Sequence, residues 1–418
     1  MRTHDFVAIG IGPFNLGLAC LTDPIEELDG VFLDRNPEFD WHPGMMLEAS
    51  TLQTPFLADL VTLADPTSPF SFLNYAKQSG HLYAFYIRES FHPLRSEYND
   101  YCRWAAAQLD TLRWGCEVTR VEHDGDAYLV HTTSETYRAR QLVLGTGTPP
   151  HVPAGAGDLG VHSADYLDAR DALQALPGIA VVGGGQSAAE VFYDLLEAID
   201  QHEYALTWIT RSARFFPLEY TKLTLEMTSP EYMEYFHRLP PPVRDDLVAS
   251  QAQLYKGIDA SLIDEIFRLL YRKHRQGDPR TTLLTNTELT AARRDGDGLV
   301  LDLRHVEQDR AFELSTEGLV LATGYRHEVP AFLAPIGDRI AWDEHGRFAV
   351  RRNFSIDRDG STLFVQNAEL HTHGFVAPDL GMAAYRNSCI VRELLGREHY
   401  PIERSIAFQE FGAPEAAV

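Results

Sequence analysis

Two glycine-rich turns carry the strongest chemical signal in these 418 residues. The first is Gly10-x-Gly12-Pro13, lying between a short apolar run from Asp5 to Ile9 and a second from Leu16 to Leu21. Such a turn lets the backbone approach a pyrophosphate, whose charge then sits at a helix N-terminus. The third position of the pattern holds Asn15 rather than glycine. Asp34 closes the next apolar run, 24 residues after Gly10, where a carboxylate binds a ribose hydroxyl. The second turn is Gly183-x-Gly185-Gln186-Ser187-Ala188. No carboxylate ends its second strand; Thr210-Arg211-Ser212-Ala-Arg214 stands there instead. A guanidinium and hydroxyls at that place suit a 2′-phosphate, so the second dinucleotide is expected to be NADPH rather than NADH. Two dinucleotide turns in one chain point to a flavoprotein, with FAD in the first unit and NADPH in the second.

The elements that must hold these turns recur as strand–turn–helix units. Asp5 to Ile9 and Val31 to Asp34 read as parallel strands of the first unit, Gly178 to Gly183 and Leu206 to Thr210 as those of the second. Ala189 onward has a helical pattern. Gly145-Thr-Gly147 and Ala322-Thr323-Gly324 follow further strands and mark the chain's crossings between two domains. Between residues 216 and 269 the pattern turns helical, with a proline run from Pro240 to Pro242. The expected fold is therefore α/β, with two Rossmann-like dinucleotide-binding domains and a small helical substrate-binding insertion. The boundaries expected are 1–166 and 316–418 for FAD, 167–215 and 270–315 for NADPH, and 216–269 for the insertion.

Composition narrows the function. Hydrophobic residues make up 44% of the chain and charged residues 23%, so there is enough apolar material for large cores. The formal charge is −24, a poor match to nucleic acid or to an anionic membrane surface. No apolar stretch approaches the roughly 18 residues of a membrane helix. Four cysteines form no CxxC pair, which disfavours a disulfide reductase and a zinc ribbon and fits a reducing cytoplasm. No Ser/His/Asp or metal pattern stands out; His371-Thr-His373 reads as a polar turn, and no metal is expected.

The chain resembles the flavin-dependent N-hydroxylating monooxygenases of siderophore biosynthesis, the lysine/ornithine N-monooxygenase family. The matching stretches run in family order: Gly10 to Asn15, Trp41-His42-Pro-Gly-Met45, Asp59 to Tyr75, Glu97 to Trp104, Gly183 to Glu190, Leu321 to Tyr325 and Thr372 to Gly374. The resemblance implies bound FAD, reduced by NADPH, and a C4a-hydroperoxyflavin formed with O2 that a substrate amine attacks. It also implies that Trp41, His42, Gln53 and Arg95 line the flavin, that Gln186, Ser187 and Arg211 hold NADPH, and that the enzyme is a homo-oligomer, dimer or tetramer. Gln53 and Arg95 are the candidate catalytic groups, although the flavin carries the chemistry.

The same resemblance bears on the amine. Members acting on amino acids carry a lysine just before the Asp-Leu that aligns with Asp59-Leu60, where it pairs with the substrate carboxylate; here the residue is Ala58. They carry serine at the position of Gly381, and ornithine-acting members have asparagine where Leu225 and Leu254 fall. A carboxylate left without its partner in a buried pocket costs on the order of several kcal/mol. The expected substrate is thus a diamine, cadaverine ahead of putrescine, with Glu226 or Asp379 taking the distal ammonium. The alternatives are an L-lysine N6-hydroxylase or L-ornithine N5-hydroxylase, with Lys222 or Lys256 holding the carboxylate, an NADPH oxidase-type flavoprotein, and a non-catalytic nucleotide-binding regulator.

Overall fold

The computed structural model describes residues 1–414. Thr3–Ile9 forms the centre of the first sheet because Phe6, Val7 and Ala8 are apolar on both faces and both faces are covered. Gly30–Leu33 pairs with it in parallel on one side, followed by Leu112–Arg113, and Thr136–Leu144 pairs with it in parallel on the other. The far end of Thr136–Leu144 pairs with Leu363–Val365, so residues from both ends of the chain share one sheet. Tyr128–Thr132 and Val118–His123 add antiparallel strands at the edge. Helices Pro13–Thr22, Arg95–Ala106 and Ala383–Leu395 pack on one face.

The second sheet is all parallel, in the order Thr281–Leu284, Ala205–Ile209, Gly178–Val182, Gly318–Leu321, Val161–His162. Helices Tyr166–Gln174, Gln186–His202 and Ala260–Gln276 cover one face. An antiparallel meander, Thr287–Asp295, Gly298–His305 and Arg310–Thr316, covers the other. This sheet corrects the expected boundaries. Residues 161–166 and 316–321 belong to the second domain, because their strands hydrogen-bond to Gly178–Val182 or its neighbour. Ala260–Gln276 also belongs there whole, since Ile266 and Leu269 are buried in that core, so the insertion ends near residue 259.

The two crossings pair with each other. His151 donates its N–H to the Gly324 carbonyl at 2.8 Å, and Arg326 to that of Pro149 at 3.1 Å. The loop of the first domain from Pro43 to Leu47 then plugs into the second domain: Met45 and Leu47 lie in the core that holds Tyr166, Val191 and Phe192. Within the insertion, Leu239 and Pro240 separate the helix Pro230–Arg238 from the next one. Pro241 and Pro242 start that next helix, Pro241–Ser250, since a first-turn proline has no intrahelical donor to lose.

Candidate active site

The first glycine turn leaves open space at a helix N-terminus. Gly10 has φ +88°, and a Cβ there would overlap the Gly145 carbonyl. A Cβ built on Gly12 meets nothing within 4 Å, leaving open space before the Pro13–Thr22 helix. Asp34 accepts the Ile11 N–H at 2.6 Å and the Asn36 N–H at 2.8 Å. Each carboxylate oxygen keeps a second acceptor site for a ribose hydroxyl. Asn15 is corrected: it is wholly buried and does not face a ligand. Its amide donates to the carbonyls of Ile9 and Gly10 and its oxygen accepts from Gln366 at 2.6 Å. It shapes the turn from behind.

The second turn leaves its charges free. A Cβ on Gly183 would overlap the Ala322 carbonyl, and one on Gly184 would sit near the Thr210 and Ser212 hydroxyls. Arg211 and Arg214 are exposed, and among the described residues neither has a carboxylate within ion-pair distance. Lys256 joins them: its carbonyl lies 3.2 Å from a Cβ built on Gly185, and burial, then Arg211, lowers its ammonium pKa. Ser187 lies in the first turn of the Gln186–His202 helix. Gln186 is corrected in part, since its amide donates to Glu190 at 2.9 Å and its oxygen accepts the Asp259 N–H at 2.8 Å. The Thr323 hydroxyl donates to the His151 carbonyl, and the Gly324 carbonyl accepts the His151 N–H, so both residues also build the crossing.

Between the turns lies the wall expected to meet the flavin. Trp41 is half-buried, its ring 5.4 Å from that of Tyr98 and 4.9 Å from that of His42. His42 holds a left-handed backbone, φ 54°, and its Nδ1 lies 3.3 Å from the Tyr325 hydroxyl. Burial, helped by the Arg95 guanidinium, pulls its pKa down to about 4, so the ring is neutral at neutral pH. Arg95 stands at this wall with its charge paired. It forks onto Glu190 at 2.9 and 2.7 Å and donates to the Met45 carbonyl at 2.6 Å. Gln53 Nε2 and Thr54 Oγ1 are buried with no protein partner, which leaves donors for a bound group.

The expected substrate positions separate into two groups. Ala58, Asp379 and Gly381 come together: a Cβ built on Gly381 lies 3.0 Å from Asp379 Oδ1 and 3.8 Å from the Ala58 Cβ. Asp379 accepts the Gly381 N–H at 2.6 Å, and burial raises its carboxyl pKa. Tyr220, which carries no sequence signal, reaches this place from the insertion; its hydroxyl donates to the Gln53 carbonyl, and burial, then the Asp379 charge, raises its pKa. Glu226 is corrected. Its carboxylate accepts the N–H groups of Phe408 and Gln409 and so holds the C-terminal segment. Leu225 is exposed, and Leu254 packs beside the cluster of Tyr232, Phe236 and Phe375. His371 bonds the Phe348 carbonyl and His373 is fully buried against Phe354, both structural placements.

The profile of the L-lysine 6-monooxygenase/L-ornithine 5-monooxygenase family matches residues 2–327. The chain belongs to this family. The putrescine N-hydroxylase of Shewanella oneidensis is 51% identical, over 98% of this chain and 84% of that one. The FAD-bound cadaverine monooxygenase of the desferrioxamine pathway of Erwinia amylovora superposes with a TM-score of 0.98 at 56% identity, covering both chains completely. The ornithine N-hydroxylase of Kutzneria sp. 744, solved with reduced FAD, NADP+ and L-ornithine, gives 0.88 at 28% identity, over 95% of this chain and 100% of that one. This family member is a flavin-dependent N-monooxygenase.

Proposed function

We propose that this chain hydroxylates one primary amine of a short aliphatic diamine, cadaverine or putrescine, with FAD, NADPH and O2, in the making of a hydroxamate siderophore. The observation that carries the reading is the meeting of Ala58, Asp379 and Gly381: an acid is present and the lysine of amino-acid-acting relatives is absent. Lys256 lies at the second glycine turn, away from Ala58, and Lys222 is exposed at the start of the Lys222–Leu225 helix, which favours a substrate without a carboxylate. The relatives named for putrescine and cadaverine support the same substrate class.

Bound flavin, reduced by the nicotinamide, supplies the activation of O2 that puts one oxygen on the amine nitrogen. The residues do the rest. Asp379 receives the distal ammonium, and that cation returns its raised carboxyl pKa toward the ionised form. The reacting nitrogen needs its lone pair, and an alkylammonium in water has a pKa near ~10.4. Desolvation in the pocket favours the neutral amine without a dedicated base. Water exclusion falls to the insertion, onto which Glu226 and Glu231 staple residues 406–409 through backbone N–H groups. The same reading makes the enzyme cytoplasmic and a homo-oligomer, dimer or tetramer; exposed Tyr83, Tyr86, Ile87 and Phe91 support self-association, which light scattering measures. No helix among the described residues is long and apolar enough to cross a membrane.

The test is turnover of cadaverine, putrescine, L-lysine and L-ornithine, scored as hydroxylamine formed. A diamine should lead in kcat/KM; a large preference for L-lysine would end the reading. Separately, Ala58→Lys puts a cation beside Gly381 and should cut diamine kcat/KM by about tenfold or more, the scale of one misplaced charge. Improved diamine turnover in that variant would contradict the pocket.

A further inference from the structure

The Arg95–Glu190 pair joins three parts of the molecule that the reaction must bring together. Arg95 opens the Arg95–Ala106 helix of the FAD domain, and its own N–H is fixed to the Ser50 carbonyl at 2.8 Å. Its guanidinium grips the Met45 carbonyl at 2.6 Å, in the loop that plugs into the NADPH domain three residues after His42. The same guanidinium forks onto Glu190, which is 5% exposed on the Gln186–His202 helix of that domain. Glu190 also accepts from Gln186, at the end of the helix that faces the second dinucleotide, and Gln186 accepts the N–H of Asp259. Asp259 is the root of the insertion: it caps the Ala260–Gln276 helix through the N–H groups of Ser261 and Leu262.

A planar fork onto a carboxylate fixes direction as well as distance. At the seam between two domains it sets the angle at which they meet. That angle decides whether the nicotinamide can reach the flavin, and the chain Glu190–Gln186–Asp259 extends the constraint to the insertion that covers the amine. The seam is otherwise made of the two crossings, 149–151 and 324–326, a narrow ribbon that can act as a hinge, and of the Pro43–Leu47 plug, which the same guanidinium holds at the Met45 carbonyl.

We propose that Arg95 and Glu190 are positioning residues that lock the two dinucleotide domains in the orientation for hydride transfer and tie it to the substrate insertion. The proposal rests on the assignment of FAD and NADPH to the two turns, and not on which amine is hydroxylated. Stability is separated from positioning by the double variant Arg95→Met/Glu190→Leu, since replacing both partners of a buried pair by apolar groups commonly leaves a fold intact. The FAD-loaded protein is mixed with NADPH without oxygen and without amine, and flavin bleaching is timed. Amide hydrogen exchange is followed at Asp259 and His151. The expected result is wild-type FAD content and melting, bleaching slowed at least fivefold, and faster exchange at both amides. Bleaching slowed less than fivefold, or unchanged exchange, overturns it. If the double variant does not hold FAD, Glu190→Gln answers through the same readouts and thresholds. Wild-type protein that NADPH fails to bleach would instead sink the cofactor assignment.

Discussion

The two glycine turns use one device and differ in how they finish it. At the first, a buried amide, Asn15, ties the turn to Ile9, Gly10 and Gln366, and Asp34 pins the Ile11 N–H. At the second, the matching side chain is Ala188, which only packs, and the charges around the turn, Arg211, Arg214 and Lys256, stand without acidic partners among the described residues. The first is preorganised, its backbone fixed from behind by Asn15 and Asp34, as suits a resident group. The second leaves its charge for the ligand to neutralise, as suits a co-substrate that must arrive and leave.

Asn15→Leu should break the contrast most. The substitution strands the Gln366 amide and the Gly10 carbonyl inside the protein, while the Ile9 carbonyl keeps the Gly145 N–H, at about 1–3 kcal/mol for each unsatisfied group. A loss of about 2–6 kcal/mol and a colourless, FAD-depleted protein are expected, read from melting and from flavin absorbance per chain. A yellow variant with wild-type melting would mean that the first turn is no more fixed than the second.

Arg211→Ala comes next. Loss of one charge-assisted contact, about 1.5–3 kcal/mol, should raise the NADPH KM by about 10–100-fold. FAD content should be unchanged, and the KM for NADH should move less than about twofold, because NADH lacks the 2′-phosphate. Equal losses for both nicotinamides would place Arg211 on the pyrophosphate or make it structural.

The turns were legible because backbone approach to a phosphate demands glycine at fixed places, and fixed places show in a sequence. Ala58 and Gly381 were legible only beside relatives, as side chains missing from a pattern. The roles of Asn15, Gln186, Arg95 and Glu226 were not legible, because a polar side chain serves a ligand or a neighbouring carbonyl equally well. Only the fold decides: Glu226 meets Phe408 across 182 residues of chain and Arg95 meets Glu190 across 95. Tyr220 gave no signal at all, since nothing local marks a tyrosine that reaches Gln53 from another element. The domain boundaries slipped for a similar reason. Val161–His162 is two residues long, and its sheet is set by pairing with Val320 and Leu321 far along the chain.

The smallest effect sits at the seam between the turns. His42 faces Arg95 and Tyr325, and its folded pKa is about 4 against 6.5 for the free side chain. A depressed histidine pKa means that the unfolded chain binds the proton first. Its contribution is therefore complete above pH 6.5 and is lost as pH falls toward 4, at up to about 1.4 kcal/mol per pH unit. Buried His373 and half-buried His237 and His371 are depressed too, chiefly by burial, so wild-type acid sensitivity is shared. The part belonging to His42 is the difference between the wild type and His42→Asn, which cannot titrate. Between pH 7 and pH 5 the variant should lose less stability, by about 1–2 kcal/mol, a change of a few degrees in melting temperature. Because the new charge appears beside Arg95, the seam should loosen before the first turn does. NADPH-dependent bleaching should then fail at a higher pH than FAD release; simultaneous failure would mean that the two turns are held by one cooperative unit.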